Sequence, residues 1–402
     1  MSTSMQYSLS YNPQTSLKTL LGCGLLSLLL TSGCSQSSDQ SSAYADTTTE
    51  QSAQGLVASD SADNLDNLDS LDDLDTANQD SLELVDDSAG LDDNSQEIQK
   101  ESTPEARLAY ALPEVPYEVD ELPQIATASN NAVWSAGEPV DEALAIKIQA
   151  LLNYNHHSVG AVDGSLGRNV AKAMQVFQEK QGLEPTGVMD SQTWEALTAN
   201  YDLHTQPVLV NYQLTKDDVT LPYQPKGQQY ESVTEAVAEK FHMSQVLLAR
   251  LNPNTPLEAG NKILVYNPYR PNMTPVAHVV ANKEKNLLLA YDKDEQLVAS
   301  YPTTMGSNYR PSPDGEYKVT SRIINPTYNK DFSNEKTVLP PGPNNPVGRV
   351  WIGINKPSFG IHGSPNPEKI SQQKSSGCVR LTNWDVLGLY GTIEEGATVK
   401  FE

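Results

Sequence analysis

The sequence predicts a multidomain chain: a disordered acidic N-terminal linker, a small three-helix domain, a βααβ module, and a mainly β, sandwich-like C-terminal domain. Three observations carry this. Between Ser35 and Gln99 there are 17 Asp or Glu and no Lys or Arg. From Glu142 to about Ala199 apolar residues recur at helical spacing, and from Val276 onward they fall in short runs bounded by turn residues. At 402 residues the chain also exceeds one ordinary core, so two or three folded domains are expected.

Near the start, Lys18 precedes an apolar run from Thr19 to Leu30, long enough for a signal-peptide core and too short to span a bilayer. The run ends in Leu30-Thr31-Ser32-Gly33-Cys34, which resembles a bacterial lipobox with Thr31 where a Leu is more usual. That resemblance implies a signal peptide over 1–33 and a lipid on Cys34. Cys23 would leave with the signal, so Cys378 would be the one free thiol and no intrachain disulfide is possible. Ser35, rather than Asp, follows the lipidated residue. The expected location is therefore the periplasm, lipid-anchored in the inner leaflet of the outer membrane.

Residues 34–135 are rich in Ser, Asp, Asn and Gln and include the near-repeat from Asn64 to Asp75. Too little apolar surface is present to offset the entropy of ordering, so this is read as a solvated linker. Calcium binding is disfavoured because the Gly that turns known calcium repeats is missing. About 100 flexible residues reach roughly 50 to 60 Å, enough to carry a tethered domain across a gap. The formal charge of −24 therefore describes mainly this tail. With no basic cluster, nucleic acid and anionic lipid surfaces are disfavoured as electrostatic partners.

In 136–202, Leu144, Ile148, Leu151 and Leu152 fall on one helical face, and Val170, Ala173, Met174 and Phe177 on another. Gly182 can supply a left-handed stop for the second helix, and Asp190 can cap a third bearing Trp194 and Leu197. The joints 162–167 and 182–187, with Phe177-Gln178 between them, resemble the three-helix peptidoglycan-binding domain. His156 and His157, adjacent in a loop with no third ligand, read as solvated rather than metal-binding.

Residues 203–270 hold Ser232-Val233-Thr234-Glu235 as a capping box, with Val233, Ala236 and Val237 on one face. Ser244 can cap a second helix with Leu247, Leu248 and Leu251, halted at Asn252-Pro253. A turn and a strand through Val265 follow. The whole resembles a LysM module, a glycan binder, although the usual Gly-Asp-Thr turn near its start is absent.

In 271–402 strands are predicted at Ala277–Val280, Leu287–Tyr291, Gln296–Tyr301, Tyr317–Ile324, Val350–Ile354 and Val399–Phe401. Within this frame stand Gly360-Ile361-His362-Gly363-Ser364 and Ser375-Ser376-Gly377-Cys378-Val379-Arg380. Acyl transfer by a thiol needs a base in hydrogen-bond reach, and His362 is the candidate. Gly377 would let its own N–H and that of Cys378 point at a developing oxyanion. The Gly363 carbonyl could orient the imidazole from behind. If residues 378–380 are extended, Cys378 and Arg380 share a face, so Arg380 either lowers the thiol pKa or holds a substrate carboxylate, the second being preferred.

The region resembles the L,D-transpeptidase catalytic domain. The motifs come in order: Pro311-Ser312-Pro313-Asp314-Gly315-Glu316-Tyr317, then Asn345-Pro346-Val347-Gly348, then the His-Gly and Ser-x-Gly-Cys-x-Arg segments. The resemblance implies Cys378 as nucleophile, His362 as base, the Gly363 carbonyl as its orienter, and the Gly377 and Cys378 amides as oxyanion donors. Ser376 stands where many members carry a second His, a replacement expected to modulate the oxyanion region. The implied substrates are peptidoglycan stem peptides on glycan strands: the thiol takes the acyl group of a tetrapeptide stem, releasing D-Ala. The acceptor is left open between a second stem peptide, giving a 3-3 crosslink, a lysine of a wall-anchored lipoprotein, and water. No cofactor or metal is required. The rival readings are a hydrolase of the same bonds and a non-catalytic wall-binding lipoprotein.

Overall fold

The computed structural model describes residues 103–112, 115–222, 227–268, 271–329 and 337–402. The expected signal segment, Cys34 and the acidic stretch to residue 102 lie outside the described residues.

Order begins earlier than the linker boundary at 135. Helices α1 (Pro104–Ala111) and α2 (Gln124–Asn131) both form within the stretch expected to be disordered. Thr103 caps α1, and Pro104 starts it without needing an N–H partner. Arg107 Nε donates to the Gly391 carbonyl at 3.0 Å, while Leu108 is buried over Gly391, where a Cβ would overlap it. In α2, Asn130 Oδ1 accepts from the N–H groups of Val208 and Leu209 at 2.8 and 2.9 Å. Composition averaged over a long polar stretch hides the few residues, Leu108, Ala111 and Ala126, that distant segments bury.

The three expected helices are α3 (Glu142–Tyr154), α4 (Arg168–Lys180) and α5 (Ser191–Thr198). Asp141 caps α3 and Asp190 caps α5, accepting from the Leu144 and Thr193 N–H groups. Gly182, at φ +70°, ends α4: its N–H donates to Glu179 and that of Leu183 to Gln178, the two bonds of a Schellman stop. Two buried glutamines hold the Gly-rich joints. Gln149 bonds the Gly164 N–H, the Asp163 carboxylate and the Ser165 carbonyl. Gln178 bonds the Gly187 N–H, the Val188 carbonyl and Thr193 Oγ1. Contrary to the one-face expectation, α3 is buried nearly all round. It is the central helix, and even Lys147 is enclosed, its Nζ donating to the carbonyls of His204 and Asn130. Burial lowers this lysine to about 8.

A short helix α6 (Tyr201–Thr205) leads into β1 (Leu209–Gln213), α7 (Lys216–Val219), α8 (Val233–Lys240), α9 (Gln245–Leu251) and β2 (Lys262–Tyr266). The two strands pair antiparallel, Leu209 opposite Tyr266, completing a βααβ unit with α7 as an extra turn. The expected capping box on α8 is half formed. Ser232 Oγ accepts from the Glu235 N–H, but the Glu235 carboxylate reaches the Glu231 N–H, one residue further back. The complete box belongs to α7, between Thr215 and Asp218. The boundary placed at 202/203 divides no core: Leu144, Phe177 and Leu197 share one apolar cluster with Leu209, Val237, Leu247 and Tyr266.

The remaining chain forms β3 (Val276–Asn282), β4 (Leu287–Tyr291), β5 (Leu297–Pro302), β6 (Gly315–Ile324), β7 (Tyr328–Asn329), β8 (Val338–Leu339), β9 (Val350–Ile354), β10 (Gly360–His362), β11 (Val379–Arg380), α10 (Asn383–Thr392) and β12 (Ile393–Phe401). Eight strands make one sheet in the order β11-β10-β9-β6-β12-β3-β4-β5, with β7 and β8 pairing separately. The long strand β6 joins its halves. Residues Gly315 to Lys318 pair with β12 and residues Val319 to Ile324 with β9, with a register shift near Val319. The sheet also closes on itself. Just past β5, Thr304 exchanges backbone bonds with Arg380 of β11 at 3.0 and 2.9 Å. Curling of this kind produces the sandwich-like core expected from the sequence.

His157 is not solvated, and His156 is half-buried. Their loop covers the free edge of β5, with the Ser158 N–H donating to the Ser300 carbonyl and the Ser300 N–H to the His156 carbonyl. His157 is fully enclosed, its Nδ1 2.9 Å from Ser300 Oγ and its ring edge-on to Phe177. Desolvation, with the Lys180 charge, pushes His156 down to about 4 and His157 to about 3.

Candidate active site

Alternation along three short strands gathers the candidate residues on one face. Ile352, Ile361 and Val379 are fully buried on the core side of β9, β10 and β11. Cys378, Arg380 and His362 therefore project to the opposite side. The register places His362 between Trp351 on β9 and Arg380 on β11. Cys378 and Arg380 thus share a face, as the sequence spacing predicts.

His362 is held on two sides. Its Nδ1 lies 2.7 Å from the Gly363 carbonyl. A carbonyl oxygen only accepts, so Nδ1 carries the proton and Nε2 keeps the lone pair a base needs. Trp351 stacks against the ring at a centroid distance of 5.7 Å and 23° between planes. The imidazole is 4% exposed, which limits the positions it can take.

Cys378 is half-buried, with Sγ 3.5 Å from the Ser358 carbonyl. The preceding turn is tied by Ser375, whose Oγ donates to the Cys378 carbonyl at 2.6 Å and accepts from the Gly377 N–H at 3.1 Å. The second bond engages the N–H that the sequence reading offers as an oxyanion donor. Gly377 is also needed for its shape. Its φ is +116°, and a Cβ would stand 2.7 Å from the Phe359 ring. Ser376, half-buried, stands between the two. Ser375 is further clamped to the segment after β5, donating its N–H to Met305 and accepting from Ser307.

Behind His362 lies a group that no local motif announces. Asn383, fully buried at the start of α10, accepts from the Arg349 N–H at 2.9 Å through Oδ1. A Cβ on either Gly348 or Gly363 would overlap that same oxygen. Asn383 Nδ2 donates to the Pro343 carbonyl and to both carboxylate oxygens of Glu239 on α8, each at 3.1 Å. Tyr230 OH donates to Glu239 Oε1 at 2.8 Å. Burial pushes Glu239 up to about 7, opposed by the Tyr230 and Asn383 bonds and the Arg349 charge. Glu239 stands in the second turn of α8, directly after the buried Val237 and Ala238, and nothing local marks it as buried.

Among the described residues no group of three or more His, Cys, Asp or Glu could hold a metal ion. The site offers a thiol, a tautomer-fixed imidazole and a guanidinium, the groups of nucleophilic acyl transfer.

Residues 276–400 match the L,D-transpeptidase catalytic domain YkuD, and residues 142–197 match a domain described as "Putative peptidoglycan binding domain". The chain is 33% identical over 127 residues to "Putative L,D-transpeptidase YqjB" of Bacillus subtilis, covering 30% of this chain and 69% of that protein. It is 29% identical over 168 residues to "Putative L,D-transpeptidase YkuD" of Bacillus licheniformis, covering 41% of this chain and 90% of that protein. A solved L,D-transpeptidase (residues 123-326) from Xylanimonas cellulosilytica is 16% identical and aligns over 67% of this chain and 98% of its own, with a TM-score of 0.32. The chain belongs to the L,D-transpeptidase family, and its catalytic domain is the curled β sheet that carries Cys378 and His362.

Proposed function

We propose that this enzyme is a peptidoglycan L,D-transpeptidase with Cys378 as nucleophile and His362 as base. The observation that carries the reading is the 2.7 Å contact of His362 Nδ1 with the Gly363 carbonyl, which leaves Nε2 to take a thiol proton. The thiolate attacks the carbonyl carbon of the third stem residue, and the oxyanion is assigned to the Cys378 N–H. Collapse breaks the bond to D-Ala, whose amine leaves with the proton held on His362, and a thioester remains on Cys378. An acceptor amine then attacks the thioester, passes its proton to His362, and frees the thiolate. Arg380, across the ladder from His362, is assigned to a substrate carboxylate.

The accompanying modules fit an insoluble substrate. The helical unit is assigned to peptidoglycan, and the βααβ unit, read as LysM-like, to glycan strands. Wall binding raises the local concentration of stem peptides. The lipid on Cys34 and the acidic linker are assigned to anchorage at the periplasmic face of the outer membrane, and a wall-anchored lipoprotein is a further acceptor.

The test is mass spectrometry of tetrapeptide muropeptides incubated with the mature protein and with Cys378→Ala. Crosslinked dimers with release of D-Ala, made only by the native protein, are expected. Cleaved monomers alone would make the enzyme a hydrolase, and an unchanged mixture in both samples would make it a scaffold.

A further inference from the structure

The βααβ module sends one side chain toward the catalytic domain's base. We propose that Glu239 is a positioning residue for the transpeptidase reaction: through Asn383 it fixes the glycine pair Gly348 and Gly363, and so the carbonyl that orients His362. This rests on the proposed role of His362 as base.

Each link is a contact. Glu239 accepts from Asn383 Nδ2 with both oxygens at 3.1 Å, and Tyr230 OH adds a bond of 2.8 Å that fixes the carboxylate from the other side. Asn383 Oδ1 is so close to Gly348 and Gly363 that neither has room for a Cβ, and Gly348 is at φ +61°. The Gly363 N–H donates to the Val347 and Val350 carbonyls at 3.1 and 3.2 Å, which pins the peptide preceding Gly363. The Gly363 carbonyl meets His362 Nδ1. A buried carboxylate without such a task would be costly to retain, and a Gln would satisfy fewer of its donors.

The chain of contacts also makes the site sensitive to the charge of Glu239. The groups that bear on it are Tyr230, Asn383, Arg349 and Glu235, and Glu239 itself is held up to about 7 chiefly by burial. The carboxylate accepts from Asn383 with both oxygens. Once protonated, the carboxyl loses its charge and one oxygen becomes a donor, so the charge-assisted bonds from Asn383 and Tyr230 weaken. The ordered base therefore belongs to the ionised form, and turnover gains a limb that rises through the titration of Glu239. The module is accordingly part of the catalytic apparatus as well as a candidate wall-binding unit.

The experiment uses the full mature chain. Glu239→Gln is expected to lower kcat by on the order of tenfold or more, as small misplacements of a catalytic group do, with KM unchanged and the rising limb near neutral pH lost. In ¹⁵N-histidine spectra its His362 Nδ1–H signal should shift away from the native, hydrogen-bonded position. Tyr230→Phe, a milder change, removes a bond that stabilises the carboxylate, so its limb should move to higher pH. Should Glu239→Gln fail to fold, the Tyr230→Phe profile decides. Native kcat, limb and His362 signal in Glu239→Gln, or an unmoved limb in Tyr230→Phe, would overturn the inference. Activity surviving in Cys378→Ala would instead overturn the catalytic reading on which it rests.

Discussion

Acid is expected to weaken this fold through His157, the residue that closes the free edge of β5. The imidazole is fully buried, bonded at Nδ1 to Ser300 Oγ, with Nε2 making no hydrogen bond among the described residues. Desolvation, then the Lys180 and His156 charges, hold its pKa at about 3. The folded value lies below the unfolded one of about 6.5, so the stabilising contribution is complete above the unfolded value and is lost as pH falls toward 3. At one proton the slope approaches about 1.4 kcal/mol per pH unit, and from roughly pH 7.5 to pH 5 the loss is about 2 kcal/mol. Urea unfolding of the native protein and of His157→Gln over that range measures it. Gln can still bond Ser300 but does not titrate. The variant should start less stable at neutral pH, and its stability should fall about 2 kcal/mol less on acidification. His156 and His242, also lowered, and Glu239 and Asp385, raised to about 7, are present in both proteins and cancel in the difference. Parallel pH curves for the two proteins would refute the reasoning.

Two further predictions follow from close contacts. Gly363→Ala should cost roughly 1 to 3 kcal/mol of stability from overpacking against Asn383 Oδ1, and should lower kcat far more than KM, as steady-state kinetics on a soluble tetrapeptide will show. Leu108→Ala should release α1 from α10, seen as faster amide exchange over Pro104–Ala111, with a loss of no more than about 2 to 3 kcal/mol because the segment can detach without opening the core. Unchanged exchange there would mean that Leu108 does not hold the helix.

What the sequence made legible was local. Asp141 and Asp190 cap their helices and Gly182 stops α4 because such bonds span only three to five residues, and strand alternation put Cys378 and Arg380 on one face. The His362 to Gly363 contact was legible for the same reason, being a bond between neighbours. The failures involve distance along the chain or competition for a single group. Nothing in Ser375-Ser376-Gly377 says that the Ser375 hydroxyl takes the Gly377 N–H, since a free amide and a tied one leave the same sequence. The ordering of α1 depends on Gly391, 284 residues away from its partner Arg107. The enclosed Lys147 and Glu239 break the polar-outside pattern because backbone carbonyls and Asn383 satisfy them, partners that periodicity does not count.

The proposed nucleophile and base are thus anchored from different directions. Cys378 follows a turn clamped by Ser375 to Met305 and Ser307, at the seam where the segment after β5 closes the sheet onto β11. His362 sits one strand inward on β10, and its orienting carbonyl is backed by Asn383 and, through it, by Glu239 from the βααβ module. A thiol and an imidazole must be held at about 3 to 3.5 Å to exchange a proton, and neither β10 nor β11, three and two residues long, is stiff enough alone to fix that distance. Clamping each strand to a separate, larger body supplies the stiffness. The same arrangement makes their failures separable: loosening the seam should disturb attack by Cys378, whereas loosening the module contact should disturb proton transfer by His362, so the two lesions should differ in pH profile even where they cost equal turnover.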